Sequence, residues 1–442
     1  MATAHIIGAG LSGLSAAVRL AKAGIAVVLY EGANHAGGRA RSFHDETLGC
    51  RIDNGNHLMM SGNRTVRHYL QTIGSEDSLI DTGAAVYPFL DLDSGARWAV
   101  RPGAGRLPWW IFSKDRRIPG TSAVDYMAVL KLLLAGKDKT VADCFDRSSL
   151  LYQRFWEPLT LAALNTPPEE GAAVLLASVF RETFARGSAH CRPLVAAKGL
   201  SESFVDPALA YITANGGTVC FKSRLRGLAA DNGAVDLLRF APGGGKGDIS
   251  LAPSLPGNSD GPGSGGDAVI LALPPERAAE VLPWLEPPEG SYPIVNVHFL
   301  LKQAPAGFDE IPFIGLIGGT AHWLFVRGNI AAVTVSAARD LAGEANDLIA
   351  ATVWRDVARA LDMLGAPLPP FRVINEKRAT FAGTPASLAR RHGTTTRYGN
   401  LFLAGDWTDT GLPATIEGAL RSGYKAADAA IRHFGGAPEG SK

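Results

Sequence analysis

The sequence predicts an α/β protein. A Rossmann-like dinucleotide-binding domain is assembled from separate stretches of chain, and a second, mixed α+β domain is built from the pieces between. Three stretches predict it. AHIIGAGLSGL (residues 4–14) is an apolar run that ends in a glycine loop. DAVILALPP (267–275) reads as a buried strand belonging with that first run. NLFLAGDWTDTGLPATIEGALRSG (400–423) reads strand, loop, helix.

Residues 4–7 form the first strand. LSGLSAAVRLAKAG (11–24) has apolar residues at helical spacing and a stop at Gly24. IAVVLYE (25–31) is a second strand, rich in β-branched residues and bounded by Gly24 and Gly32. Together they make a βαβ unit. Its loop carries Gly8, Gly10 and Gly13 in GxGxxG spacing. Gly8 permits the tight turn, Gly10 lets a pyrophosphate approach the backbone, and Gly13 lets helix and strand pack closely. Leu11 and Ser12 open the helix, whose free N–H groups and positive dipole end face the phosphates. Glu31 ends the second strand, where a carboxylate accepts hydrogen bonds from a ribose diol. An acid there disfavours NADP and leaves NAD and FAD open.

LPWWIFSKDRRIPG (107–120) is aromatic and then basic, and DYMAVLKLLLAG (125–136) predicts a strongly apolar helix. Residues 148–190 read as mostly helical, with a break at NTPPEEG (165–171). Residues 200–219 read helix, turn, strand. SRLRGLAADNGAVDLLRF (223–240) reads as a hairpin with DNG at its turn. The Gly-, Pro- and Ser-rich stretch 242–267 predicts a flexible insert. Strands in 292–385 and a helix at about 344–364 supply the second domain. The expected division is 1–80, 195–280 and 390–442 for the nucleotide domain, and 81–194 and 281–389 for the other.

A chain of 442 residues suits two domains, and 46% hydrophobic against 19% charged residues permits large cores. A net charge of +1 argues against a nucleic-acid partner, which needs a strong basic field. Cys50, Cys144, Cys191 and Cys220 form no CxxC pair, and no His cluster has zinc spacing, so reduced thiols and no metal are expected. The N-terminus has no basic region ahead of its apolar run, and no stretch reaches the length of a membrane span. The expected location is cytoplasmic.

Two further motifs decide between the dinucleotides. GANHAGGRARS (32–42) places Gly37 and Gly38 before Arg39, Arg41 and Ser42. A longer, bent cofactor needs this second phosphate-facing turn, and NAD does not. DNGNHLMM (53–60) follows a short strand. In the third stretch Gly405 and Asp406 follow a strand, and Thr415 is placed to cap a helix that begins at Ile416. A helix N-terminus aimed at a flavin stabilises the negative charge of its reduced form. The predicted cofactor is FAD, held without a covalent bond.

These motifs resemble the flavin amine oxidase and phytoene desaturase superfamily, whose fold includes the GDP-dissociation inhibitors. The resemblance implies that Arg39 lies along the diphosphate and ribityl part of FAD. It implies that the backbone at Gly55, Asn56 and His57 passes close to the flavin ring. It also implies that Asp406 bonds the ribityl or diphosphate end, and that a backbone position near Leu225 contacts adenine. LGCRIDNGNHLMMSGN (48–63), RFWEPLTLAALNTPPEEGA (154–172) and CRPLVAAKGLSESFVDPAL (191–209) extend the likeness to the bacterial hydroxysqualene dehydroxylase family. What this implies is reductive loss of an allylic hydroxyl from a C30 isoprenoid, with hydride from reduced FAD.

Such chemistry needs a dry site and a proton donor. His57 is the first candidate donor, and Glu157 the second. Asn165 and Thr166 read as turn residues ahead of Pro167 and Pro168, or as tunnel lining. A lipid substrate implies peripheral contact with the inner face of a membrane through Trp109, Trp110, Ile111 and Phe112, beside Arg106, Lys114, Arg116 and Arg117. An electron donor is required and not identified. The alternatives are a carotenoid or isoprenoid desaturase, an amine oxidase, or a prenyl-binding protein without catalysis.

Overall fold

The computed structural model describes residues 2–105, 108–242, 247–253 and 266–439. Most of the expected flexible insert, together with Arg106 and Leu107, lies outside the described residues.

Five parallel strands form one sheet, in the order Thr218–Cys220, Ala26–Tyr30, Thr3–Ile7, Ala268–Leu271, Leu401–Leu403. Ile6 pairs with Leu29 on one side and Ile270 on the other. Alternate residues serve two cores, as a sheet covered on both faces requires. Ala4, Ile6 and Ile270 meet the helices Leu11–Lys22 and Ile416–His433. Ile7, Val269 and Leu271 meet the antiparallel strands Leu225–Asp231 and Ala234–Phe240 and the helix Pro275–Val281. The predicted hairpin is present, and Asn232 (φ 49°) and Gly233 (φ 78°) take the left-handed geometry that its two-residue turn demands.

The two long helices touch. A Cβ on Gly423 would come within 2.1 Å of the Ser12 carbonyl oxygen, and Ser15 Oγ donates to Leu420 O at 3.1 Å. Gly423 therefore serves the contact with the first helix.

A second, seven-stranded sheet runs Phe371–Phe381, Ser291–Leu300, Ile330–Val335, Trp323–Arg327, Phe313–Ile317, Tyr87–Asp91, Arg97–Val100. Helix Asn346–Ala360 covers one face through Val295, Val297, Val333 and Trp354. The other face contributes Tyr87, Phe89, Phe313, Trp323 and Phe325 to an aromatic cluster completed by the helical stretch 109–186. Within that stretch the apolar run 125–136 is shorter as a helix than predicted. It is a 3-10 turn, Asp125–Ala128, followed by one short helix, Val129–Leu133. Val124, Met127, Leu130 and Leu134 are exposed, so packing supports this segment along one side only.

Candidate functional site

The glycine loop has the features expected of a phosphate cradle. Gly8 has φ 106°, and a Cβ there would stand 2.5 Å from Ala272 O. A Cβ on Gly13 would strike Gly8 O at 1.8 Å, which keeps helix and strand together. A Cβ on Gly10 would meet nothing within 4 Å. The chain has room for Gly10 to carry a side chain, so its glycine leaves space beside the helix that Leu11 and Ser12 open. Ser12 Oγ bonds Ser422 Oγ (3.1 Å), and Ser422 Oγ accepts from Gly405 N (2.9 Å), tying the first loop to the last strand.

Glu31 braces this cradle. Ala9 N donates to one carboxylate oxygen and Ala33 N to the other, each at 2.8 Å. Each oxygen keeps a lone pair for a ribose hydroxyl. Glu31 N donates to Cys220 O and Ser223 N to Glu31 O, which brings the start of the Leu225 strand beside it. The second glycine turn docks on the first, with Gly37 N donating to Ala9 O at 2.8 Å. Gly37 and Gly38 both have positive φ.

Arg39 and Asp406, 367 residues apart, form an ion pair. Arg39 Nη2 donates to Asp406 Oδ2 at 2.8 Å, and Nη1 to Ala379 O at 2.5 Å. The carboxylate of Asp406 raises the Arg39 pKa further. Gly405 (φ 151°) admits no side chain, because Trp407 fills that space. Thr415 caps the last helix, its Oγ1 accepting from Gly418 N at 3.1 Å, so Ile416 starts a helix with an ordered N-terminus. Glu417 is occupied by structural partners. Its carboxylate accepts from Thr65 N, Thr65 Oγ1 and Val66 N, and pairs with Arg421. Arg41 lies apart from Arg39, against His35 at 2.6 Å. It lines a cleft of about 700 Å³ shared with Asn34, Ser42, Asn54 and Arg372.

The loop 54–58 is pinned to the second sheet by partners that the sequence reading missed. Asn56 Nδ2 donates to Thr334 Oγ1 (3.2 Å), Thr334 Oγ1 to Asn296 Oδ1 (2.8 Å), and Asn296 Nδ2 to Asn54 O (3.3 Å). Asp53 anchors the loop from behind. It accepts from Ser42 Oγ (2.6 Å), Leu200 N (2.9 Å) and Arg327 Nη1 (2.9 Å). His57 is half-buried and makes no side-chain hydrogen bond among the described residues, so both ring nitrogens are free for a ligand. Desolvation lowers its pKa to about 4, against a smaller opposing pull from Asp53, so the ring is neutral at pH 7. Leu58 and Met60 then run into the aromatic cluster containing Phe155, Trp156, Phe184 and Trp323.

Glu157 stands elsewhere. Burial raises its pKa, and its charged neighbours are Glu169 and Arg147, a pair bridged at 2.5 Å. Asn165 and Thr166 prove to be turn residues. Asn165 ends helix Glu157–Leu164 in left-handed geometry. Its amide nitrogen donates to Tyr292 O and Thr380 Oγ1, and its oxygen accepts from Ala337 N. Thr166 Oγ1 donates to Leu164 O and accepts from Gly383 N.

The aromatic run 109–112 is split by its 3-10 turn. Trp109 and Phe112 are 70% and 67% exposed. Ile111 is 4% exposed, in the aromatic cluster, and Trp110 packs on that cluster edge-on to Tyr126. Ile111 is therefore corrected from surface contact to core, and Trp110 to a partly buried position. Half of a short turn always faces inward.

Three histidines share the neutral state. Burial lowers His57, His298 and His322 to about 4. Unfolded histidines bind protons below about pH 6.5, and these do not until about pH 4. In that window the unfolded state holds more protons, so stability falls as pH falls. Equilibrium denaturation at pH 7.5, 6 and 5 is expected to show a progressive loss, reaching roughly 2 kcal/mol at pH 5 from His298 alone, which is fully buried. Neutral replacement of His298 by Gln is expected to flatten the profile.

A family model described as flavin containing amine oxidoreductase matches residues 11–431. The chain is 44% identical over 426 residues to a hydroxysqualene dehydroxylase of Rhodopseudomonas palustris, covering 96% of this chain and 97% of that protein. It is 41% identical over 434 residues to a hydroxysqualene dehydroxylase of Zymomonas mobilis, covering 98% and 100%. Its fold is similar to that of cyclohexylamine oxidase from Brevibacterium oxydans, at 16% identity and a TM-score of 0.68, covering 98% and 99%.

Proposed function

The chain belongs to the hydroxysqualene dehydroxylase family, within the flavin-containing amine oxidoreductases, and from that membership we propose that it is an FAD-dependent oxidoreductase converting hydroxysqualene to squalene. The observation that carries this reading is the near-full-length likeness, 44% identity over 426 residues. The geometry agrees with the cofactor. Gly10 leaves space, Glu31 offers lone pairs, and Arg39 with Asp406 closes the other side of the two glycine turns.

Reduced FAD, when bound, supplies the hydride that forms the new C–H bond. The chain's own part is to hold the allylic alcohol, assist departure of its oxygen and keep water out. The C–O bond breaks with its electron pair on oxygen, a proton converts the leaving group to water, and the carbon is left as a delocalised cation. His57, neutral and free of partners, hydrogen-bonds that oxygen through its ring N–H and stabilises the charge that develops on it, while the proton that completes water is drawn from solvent. Beyond it the aromatic cluster offers π faces to the cation and excludes water. Gly8, Gly10, Leu11, Ser12 and Gly13 hold the diphosphate, Glu31 the ribose, and the strand at Leu225 the adenine. Gly37, Gly38, Arg39, Gly405 and Asp406 line the middle of the cofactor. Asn56, His57, Thr415 and Ile416 would hold its ring end.

Purified protein is expected to be yellow, to release FAD on denaturation, and to form squalene from hydroxysqualene when supplied anaerobically with dithionite. His57→Ala is expected to keep its FAD and lose roughly a hundredfold in kcat. With the histidine neutral above about pH 4, the parent's kcat should show no His57 inflection between pH 5.5 and 8. Colourless protein that resists reconstitution would revive the non-catalytic, prenyl-binding reading.

The substrate also implies a source. Among the described residues no helix is long and apolar enough to cross a membrane. Segment 109–134 instead exposes Trp109, Phe112, Val124 (76%), Met127, Leu130 and Leu134 (84%). Lys114, Arg116 and Lys131 are exposed beside them. The inner side of the same segment, Ile111, Tyr126 and Leu132, belongs to the aromatic cluster. We propose that this face rests on an anionic bilayer and passes substrate inward. The double variant Trp109→Glu/Leu134→Glu is expected to lose at least tenfold in sedimentation with phosphatidylglycerol vesicles, while its activity on detergent-dispersed substrate is unchanged.

A further inference from the structure

Outside the residues the sequence singled out, one side chain holds an unusual share of the site's framework. Arg391 precedes the last strand. Its Nε donates to Thr408 O (2.9 Å) and its Nη1 to Leu412 O (2.7 Å). Its Nη2 donates to Asp406 O (3.0 Å), Thr410 Oγ1 (2.9 Å) and Thr408 O. Every acceptor lies in the loop 406–412, which starts at Asp406 and leads to the Thr415 cap. None is a carboxylate. Among the described residues Arg391 takes part in no ion pair, although Asp409 and Asp406 are near enough to oppose the burial that lowers its pKa. Its guanidinium also stands 5.2 Å from the centre of the Phe381 ring, on the strand whose Ala379 O accepts from Arg39.

A surface arginine does not spend five donor contacts on backbone and hydroxyl oxygens. From outside, the loop is also held by Trp407 Nε1 donating to Leu273 O, Asp409 N to His392 O and Lys425 Nζ to Asp409 O, but the carbonyls of Asp406, Thr408 and Leu412 are gathered by the Arg391 fork, and the bonds within the loop are short-range. Thr408 N and Thr410 N donate to Gly405 O and Thr408 O, and Leu412 N to Thr410 Oγ1. Turning the Asp406 carbonyl toward Arg391 also turns the next N–H, that of Trp407, the opposite way, because the peptide is planar and trans. A planar guanidinium satisfies acceptors at these fixed angles, and a lysine ammonium cannot.

We infer that Arg391 is a positioning residue for FAD. It fixes the loop 406–412 so that Asp406 and the N-terminus of the helix at Thr415 are presented to the cofactor together. The inference rests on FAD binding by this chain. Its fork, rather than its charge alone, is what the site requires.

The test compares the FAD-loaded parent with Arg391→Lys, Arg391→Gln, Thr410→Val and, as a surface control, Arg390→Gln. Two quantities are read: the FAD dissociation constant of deflavinated protein, and the flavin midpoint potential at saturating FAD. Arg391→Lys and Arg391→Gln are expected to bind FAD at least tenfold more weakly. With the helix N-terminus misaligned, their saturated forms should favour reduced flavin about tenfold less, a midpoint about 30 mV lower. Thr410→Val, which removes one acceptor and keeps the cation, should lose severalfold in affinity. Arg390→Gln should match the parent. If the Arg391 variants do not fold, Thr410→Val decides. Parent-like affinity and potential in Arg391→Lys, or in Thr410→Val where the lysine variant cannot be made, would overturn the inference. A parent that binds no FAD would overturn the cofactor reading itself.

Discussion

Gly10→Val is expected to give a folded, colourless protein. The structure separates three glycines that sequence spacing treats alike. A side chain on Gly8 or Gly13 collides with backbone oxygens of the chain itself, so substitution there damages the βαβ unit. A Cβ on Gly10 meets nothing of the chain within 4 Å, and a valine's bulk is expected to enter the space assigned to the pyrophosphate. FAD affinity should therefore fall by more than a hundredfold, while the melting temperature of the cofactor-free protein stays within a few degrees of the parent's. Gly13→Val should lower that melting temperature by far more. Equal FAD binding by Gly10→Val and parent would show that the cofactor lies elsewhere.

The Arg39–Asp406 pair should show the second large effect. Asp406 is buried and Arg39 is its cation, with the Arg39 side chain partly exposed. Asp406→Asn is expected to weaken FAD binding about a hundredfold, losing a charged acceptor and leaving Arg39 facing Ala379 O alone. Arg39→Met should do the same, at an additional stability cost of about 1–2 kcal/mol, below the 3–5 kcal/mol of a fully buried pair because Arg39 is partly solvated. The double variant should bind little worse than either single one, since the residues act as a unit. Full additivity in titration calorimetry would mean that they serve FAD independently.

What the sequence made legible was local. GxGxxG, the second glycine turn, the DNG hairpin and the Thr415 cap are each set by neighbours a few residues away, and each stands where its residues predicted. Glu31 was also legible, because a strand end has a fixed place in a βαβ unit. The supports around the loop 54–58 were not. Asn54 bonds Asn296 across 242 residues, Asp53 bonds Arg327 across 274 and Asn56 bonds Thr334 across 278, and no spacing rule anticipates such partners. Arg391 hides in a polar stretch for the same reason. The aromatic run misled in a different way. Composition marks 109–112 as apolar, but only the turn's geometry decides that Ile111 faces in and Trp109 out. The helix at 125–136 was overread because exposed leucines carry the same apolar signal as buried ones.

The central claim is that this chain uses FAD to reduce an allylic alcohol. An anaerobic single turnover tests it most directly. Protein reduced by one equivalent of dithionite is mixed with hydroxysqualene, and flavin absorbance is followed while products are measured by mass spectrometry. The account predicts reoxidation of the flavin with one squalene formed per flavin. Flavin that stays reduced in the presence of hydroxysqualene, with oxidised protein instead introducing a double bond into squalene or a carotenoid precursor, would contradict it and make this chain a desaturase.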